Sequence, residues 1–323
     1  AYIVAGARSA IGKAGRGGFR FTRPDELGAH IVKAVLAQVP DLDPALVQDL
    51  IVGNAIPEAE QGLNMARYVG LMSLPVDVPG MTVNRYCASG LETIAIAAAK
   101  VHAGLQDCII AGGSESMSLI PMGGYKIAPS YTLARDHADY YFGMGYTAEA
   151  VADQFKVSRE DCDQFAYESH MRAIRAIQEG KFAEEITPIE IEEVYFNEAT
   201  GKKASRKFSV GMDEGPRPDT TLERLGKLKP AFTAKGVVTA GNSSQTSDGA
   251  GFVMVVSERF LKQHNLKPIA RLAGYAIAGV EPRIMGIGPV KAIPAALQQA
   301  GLKKEDIGTI ELNEAFASQA IAI

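Results

Sequence analysis

Short apolar runs alternate with helix-patterned segments along the first third of the chain: YIVAG, PDELGAHIVKAVLAQV, DLIVGNA, MARYVGLM, MTVN, an alanine-rich run and DCIIAGG. Runs this short read as strands. The segments between them carry the 3.6-residue period of helices, so the alternation predicts βα units in a layered α/β domain. The alanine-rich helix, Ala88 to Ala103, has its polarity confined to Glu92, Thr93, Lys100 and His102, the pattern of a helix buried between layers. At 323 residues the chain exceeds what one hydrophobic core usually serves, so two or more domains are expected.

From about Ser118 the character changes to methionines, tyrosines and charged loops. The helical segment YTAEAVADQFKVSREDCDQFAYESHMRAIRAIQEG follows, then a charged β-rich stretch to about Lys235. This reads as an inserted domain, after which VVTAGNSSQTSDGAGFVMVVSERF rejoins the first. Residues 30–55, HIVKAVLAQVPDLDPALVQDLIVGNA, have a counterpart in residues 289–315, PVKAIPAALQQAGLKKEDIGTIELNEA: helix, turn, acidic capped turn, strand and Asn-containing turn. Two readings follow. Either the chain is an internal duplication at an offset of about 260 residues, its second copy cut short at Ile323, or the likeness is only what any two βα units share.

The net charge of −4 gives no general basic field, which argues against nucleic acid or an acidic membrane as the main partner. No apolar stretch reaches 18 residues and no signal-peptide pattern opens the chain, so a cytoplasmic location is expected. Cys87, Cys108 and Cys162 have no paired spacing, which predicts neither a disulfide framework nor a zinc site. No ligand-spaced cluster suggests any other metal. GKAGRGG and AGGSES fit neither a Walker A loop nor a dinucleotide fingerprint.

In VNRYCASGLETIAIAAAK a lone cysteine stands where a strand gives way to a helix. A helix N-terminus carries roughly half a positive charge, and a thiol placed there is favoured as thiolate and nucleophile. Ser89 and Gly90 keep the first turn small, so backbone N–H groups can approach a bound oxygen. The competing reading makes Cys87 a small buried helix residue, the commonest use of a free cysteine. Cys108, in an apolar strand, and Cys162, in a charged helix, read as structural. His102 follows Cys87 by 15 residues, about 22 Å along a helix, and so is no partner to it. His30 and His264 read as surface residues, while His137 and His170 in the inserted region stay open.

VNRYCASGL resembles the nucleophile motif of the thiolases, enzymes that cleave and form carbon–carbon bonds of acyl-CoA thioesters. GARSAIGK, GGSESMS, MGYTAEAVA, LKPAF, VVTAGNSSQTSDGA, GIGP and NEAFASQA resemble thiolase segments in the same order, so the likeness spans the chain. It implies an α/β thiolase fold: two similar βαβαβαββ halves in a layered αβαβα arrangement plus a loop domain. The halves and loop would divide as 1–117 with 241–266, 118–240, and 267–323 as an incomplete second half. Carried over, the resemblance makes Cys87 the acyl acceptor and gives Asn313 a water that stabilises the thioester or enolate oxygen. It puts Ser244 on the pantetheine arm, Met144 on the acyl tunnel and Arg217 at the nucleotide end of coenzyme A. By residue type alone, Asn313 could instead cap a helix beginning at Glu314, and Ser244 could be a plain turn residue.

Thiolases carry beyond NEAFA a Gly-His-Pro and a Cys-x-Gly segment that supply acid–base groups, and neither occurs in this sequence. A chain lacking them is expected to be inactive as it stands. Gly143 stands where acetoacetyl-specific thiolases place histidine; with Arg85 and the NSSQTSDGA turn, it makes the chain look more like the 3-ketoacyl-CoA thiolases of fatty-acid breakdown. The alternatives are a biosynthetic acetoacetyl-CoA-forming thiolase and a non-catalytic acyl-CoA or lipid binder. Coenzyme A enters as substrate and no resident cofactor is expected. The resemblance also implies a homodimer or homotetramer, with the dimer contact at the buried strand after Pro79.

Overall fold

The computed structural model describes residues 1–323. In chain order the elements begin β1 (Tyr2–Arg8), β2 (Gly12–Lys13), α1 (Pro24–Ala37), β3 (Asp49–Gly53), α2 (Met65–Ser73), β4 (Gly80–Val83), α3 (Ser89–His102) and β5 (Cys108–Ser116). They continue with α4 (Tyr131–Asp136), α5 (Met144–Phe155), α6 (Arg159–Gln178), and the hairpin β6 (Ile189–Asn197) and β7 (Lys202–Val210). The remainder is α7 (Leu222–Gly226), β8 (Ser247–Val256), α8 (Glu258–Gln263), β9 (Ala270–Arg271), α9 (Gly288–Ala300) and α10 (Ala317–Ala322).

These elements form two compact units. The first comprises residues 1–127, 180–215 and 246–272; the second comprises 128–179, 216–245 and 273–323. Packing therefore groups 180–215 with the first sheet and 128–179 with the C-terminal segment.

The first unit is built on a mixed sheet ordered β4-β3-β5-β8-β1-β9, with β2 added to β8. β3 runs parallel to β4 and β5, whereas β8 is antiparallel to both β5 and β1. Alternation along each strand sends side chains to opposite faces. Leu50, Val52, Ile110 and Met254 meet Ile31 and Val35 of α1 and Met65 and Val69 of α2 on one face. Ile51, Ile109, Ala111 and Val255 meet Ala97 and Val101 of α3 on the other. β3, apolar at successive positions, is buried along its whole length, as a strand covered on both faces must be. Pro24 opens α1 with its fixed φ, and Asp25 and Glu26 lie in the favourable first turn.

α3 is set close against the sheet by small side chains and by Thr93, whose hydroxyl is within 3.0 Å of the Gly112 carbonyl. Its other face differs from the sequence expectation. Leu91 is 57% exposed and Ile94 and Ile96 are half-buried, because within this unit the sheet covers one side only. β4, expected to be buried, is a half-exposed edge strand for the same topological reason: nothing follows it in the strand order.

In the second unit the long helical segment divides at Lys156, which is left-handed at φ 56°. Ser158 then starts α6 with a capping box, its hydroxyl accepting from the Asp161 N–H while Asp161 reaches back. The repeat survives as far as its turns: α9 ends at left-handed Gly301, and a short 3₁₀ turn, Lys304–Asp306, matches Pro44–Leu46. The strand expected next does not form. β3 lies between two partner strands, whereas residues 307–312 have no ladder beside them, and an unpaired strand leaves its backbone groups unsatisfied.

Candidate active site

The turn between β4 and α3 is built by side-chain hydrogen bonds to its own backbone. Asn84 Oδ1 accepts from the Tyr86 N–H at 2.8 Å, Ser89 Oγ accepts from the Arg85 N–H at 2.8 Å, and the same hydroxyl donates to the Tyr86 carbonyl at 2.5 Å. Tyr86 is thereby held at φ +46°, a left-handed conformation that costs a bulky residue about 1–3 kcal/mol. The next residue, Cys87, is exposed just ahead of the first turn of α3. Arg85 pairs with Glu92 one turn into the helix. The buried-residue reading of Cys87 is thus overturned.

Gly53, at the end of β3, explains how the sheet comes so near this helix end. A Cβ there would lie 2.6 Å from the Ser89 carbonyl carbon and 2.8 Å from the Gly90 nitrogen, both rigid backbone. Beneath the turn lies a polar network that sequence reasoning missed. Asn84 Nδ2 donates to the Ala55 carbonyl at 3.0 Å, and the Ala55 N–H donates to the Glu115 carboxylate at 2.7 Å. The other Glu115 oxygen accepts from Gln61 Nε2 at 2.7 Å, and Gln61 Oε1 accepts from the Ser116 N–H at 2.6 Å. Burial pushes the Glu115 carboxyl above the ordinary carboxylate range, opposed by the donors around it. The one signal in the sequence was a glutamate in an otherwise small and apolar strand, CIIAGGSES.

Two of the motifs act as braces. Asp248 of SDGA accepts from the Ser118 N–H at 2.9 Å and from its hydroxyl at 2.5 Å, tying GGSESMS to β8. The other cysteines are inert by environment: burial pushes Cys108 and Cys162 up to about 12.

In the second unit GNSSQ and NEAFA run side by side. The Ser244 N–H donates to the Ala315 carbonyl at 2.9 Å, and the Ala317 N–H donates to the Asn242 carbonyl at 3.0 Å. Asn242 is fixed in turn by Asp163 at 2.9 Å. Ser244 is therefore beside the segment that carries Asn313, and Asn313 itself is exposed. It does not cap the helix, because α10 starts only at Ala317 behind Phe316. Met144 opens α5 at 38% exposure, next to a string of aromatic contacts, tilted between Phe142 and Tyr146 and edge-on from Tyr146 through Phe232 to Phe316. Gly145 is required there, since a Cβ would stand 2.2 Å from the Phe232 ring. Phe232 and Phe316 belong to LKPAF and NEAFA, so three motifs converge on one apolar cluster. Arg217 is exposed, with Asp219 3.7 Å from its guanidinium, and its backbone N–H donates to His170. The structure thus groups Ser244, the Asn313 segment, Met144 and Arg217 in the second unit and places Cys87 in the first.

Residues 1–259 match the family description of the thiolase N-terminal domain and residues 266–323 that of the thiolase C-terminal domain, so the chain belongs to the thiolase family. It is 51% identical to the 3-ketoacyl-CoA thiolase of Bacillus subtilis (strain 168) over 324 aligned residues, covering 100% of this chain and 82% of that protein. The peroxisomal 3-ketoacyl-CoA thiolase of Homo sapiens is 44% identical over 98% of this chain and 74% of its own length. Among solved structures, the Bacillus anthracis acetyl-CoA acetyltransferase superposes with a TM-score of 0.87 at 35% identity, covering 99% of this chain and 81% of that one. The thiolase fold is thereby shown. A second-half domain is matched as well, and the expectations that it is cut short and that the chain is inactive on that account find no support in these matches.

Proposed function

We propose that this thiolase is an acyl-CoA acyltransferase that cleaves 3-ketoacyl-CoA with coenzyme A in fatty-acid breakdown, and that Cys87 carries the acyl group between the half-reactions. The observation that carries the reading is the exposed thiol on a strained turn ahead of a helix N-terminus. In the first half-reaction the Cys87 sulfur attacks the 3-keto carbon, the C2–C3 bond breaks, and the acetyl-CoA carbanion takes up a proton. In the second, the thiol of coenzyme A attacks the Cys87 thioester, its proton is lost, and acyl-CoA leaves as the Cys87 thiolate is regenerated. Asn313 holds a water on the developing oxyanion, a contribution of the kind worth about 10²–10³ in rate. Ser244 contacts the pantetheine arm, Met144 with its aromatic neighbours lines the acyl chain's path, and Arg217 meets the nucleotide end. Coenzyme A is a substrate, and no permanently bound cofactor is invoked.

The likeness to two named 3-ketoacyl-CoA thiolases supports this direction. A second reading, acetoacetyl-CoA formation, is favoured by the fold match to an acetyl-CoA acetyltransferase. Rates on C4 and C10 ketoacyl-CoA separate the two: breakdown requires turnover of the C10 substrate, and turnover of C4 alone supports the second reading. Loss of both rates in Cys87→Ala is required by either.

No helix is long and apolar enough to cross a membrane, and a cytoplasmic site of action is part of the proposal. So is a homodimer or homotetramer formed through β4, whose outer edge lacks a partner strand. The division into 1–117 with 241–266, 118–240 and 267–323 is proposed as the boundary set of the duplicated halves and their insertion.

A further inference from the structure

We infer that His170 is a positioning residue that holds the turn carrying Arg217 and thereby sets affinity for the nucleotide end of coenzyme A. This rests on the coenzyme role proposed for Arg217. His170 lies on α6, half-buried, and its Nδ1 accepts from the Arg217 backbone N–H at 3.2 Å. The preceding residue, Ser169, donates its hydroxyl to Glu314 Oε2 at 2.5 Å. Two consecutive residues of one helix therefore anchor the Arg217 turn and the Asn313–Glu314 loop. The Arg217 guanidinium stays 63% exposed, its planar fork available to a phosphate.

An acceptor at Nδ1 is the neutral ring with its proton on Nε2. Protonation would set an N–H against the Arg217 N–H and release the turn. The charged groups facing the ring are Arg217 and Asp219 from the turn and Glu314 from the NEAFA loop. Burial, then Arg217, lowers the His170 pKa below the ordinary imidazole range, with Asp219 and Glu314 opposing, so the anchor is intact at neutral pH and lost in acid.

Calorimetric titration of the protein with coenzyme A and with pantetheine, which lacks the nucleotide end, tests this. One neutral-acceptor hydrogen bond corresponds to about 3–10-fold in affinity. His170→Leu should weaken coenzyme A binding by that factor and leave pantetheine binding unchanged. His170→Asn, which keeps an acceptor near the Nδ1 position, should restore it. On going from about pH 7.5 to about pH 5.5 the wild type should lose more affinity than His170→Asn, which shares any titration of the ligand phosphates but has no imidazole. Equal loss for pantetheine, a His170→Asn as weak as His170→Leu, or identical pH profiles would overturn the inference. Arg217→Ala separates the two levels. If it leaves coenzyme A binding unchanged, the Arg217 reading itself falls; if it weakens binding while His170→Leu does not, only the role of His170 falls.

Discussion

At the scale of single residues, the three cysteines differ by environment rather than by chemistry. Cys108 and Cys162 are buried, and burial raises both thiols to about 12; Cys87 is exposed. Iodoacetamide at neutral pH is expected to label Cys87 first and the other two only on unfolding, which peptide mass mapping checks. Glu115 sits two hydrogen bonds from the turn that presents Cys87, through the Ala55 peptide and Asn84. Both of its oxygens accept from N–H donors, so Glu115→Gln must turn an amide NH₂ toward one of them. An unsatisfied buried pair of this kind costs about 1–3 kcal/mol. Urea unfolding should register that loss, and alkylation of Cys87 should slow in the same variant. Unchanged stability together with an unchanged alkylation rate would remove Glu115 from the account.

At the scale of elements, the strand-to-helix approach is the vulnerable joint. Gly53→Ala would drive a methyl into the backbone of Ser89 and Gly90. Neither can yield without moving the first turn of α3, and overpacking of this sort costs about 1–3 kcal/mol. The expected outcome is a lowered thermal midpoint with acyl transfer impaired more than substrate binding, measured as a kcat loss exceeding the change in KM. Periodicity made most of the elements legible: α1, α2 and α3 follow from helical spacing and β1, β3, β4, β5 and β8 from short apolar runs, whereas the two-residue strands β2 and β9 carry no such signal. The unformed strand at 307–312 was not legible, since its pattern matches β3 and only the absence of a neighbouring ladder decides. The same holds for Asn313, whose residue type fits a cap but whose helix begins four residues later, at Ala317. Glu115 and His170 escaped because their partners lie far away in sequence, and spacing carries no trace of such contacts.

At the scale of the whole molecule, β4 is an unpaired edge, and α2, packed beside it, exposes Tyr68, Leu71 and Met72. An edge strand flanked by apolar side chains is a template for a second chain. Sedimentation equilibrium at micromolar protein should therefore show a dimer or tetramer, and a monomer would remove β4 from the proposal. The motifs that resemble thiolase segments serve two ends. GGSESMS and SDGA brace the sheet, whereas VNRYC, GNSSQ and NEAFA present the residues assigned to chemistry. On the proposed function, the turn before α3 makes Cys87 an acyl acceptor. Incubation with acetyl-CoA followed by intact-mass and peptide analysis tests it directly. One acetyl group on the peptide containing Cys87, removed by adding free coenzyme A, is the expected result. Acetylation at another residue, or an unmodified Cys87, would contradict it.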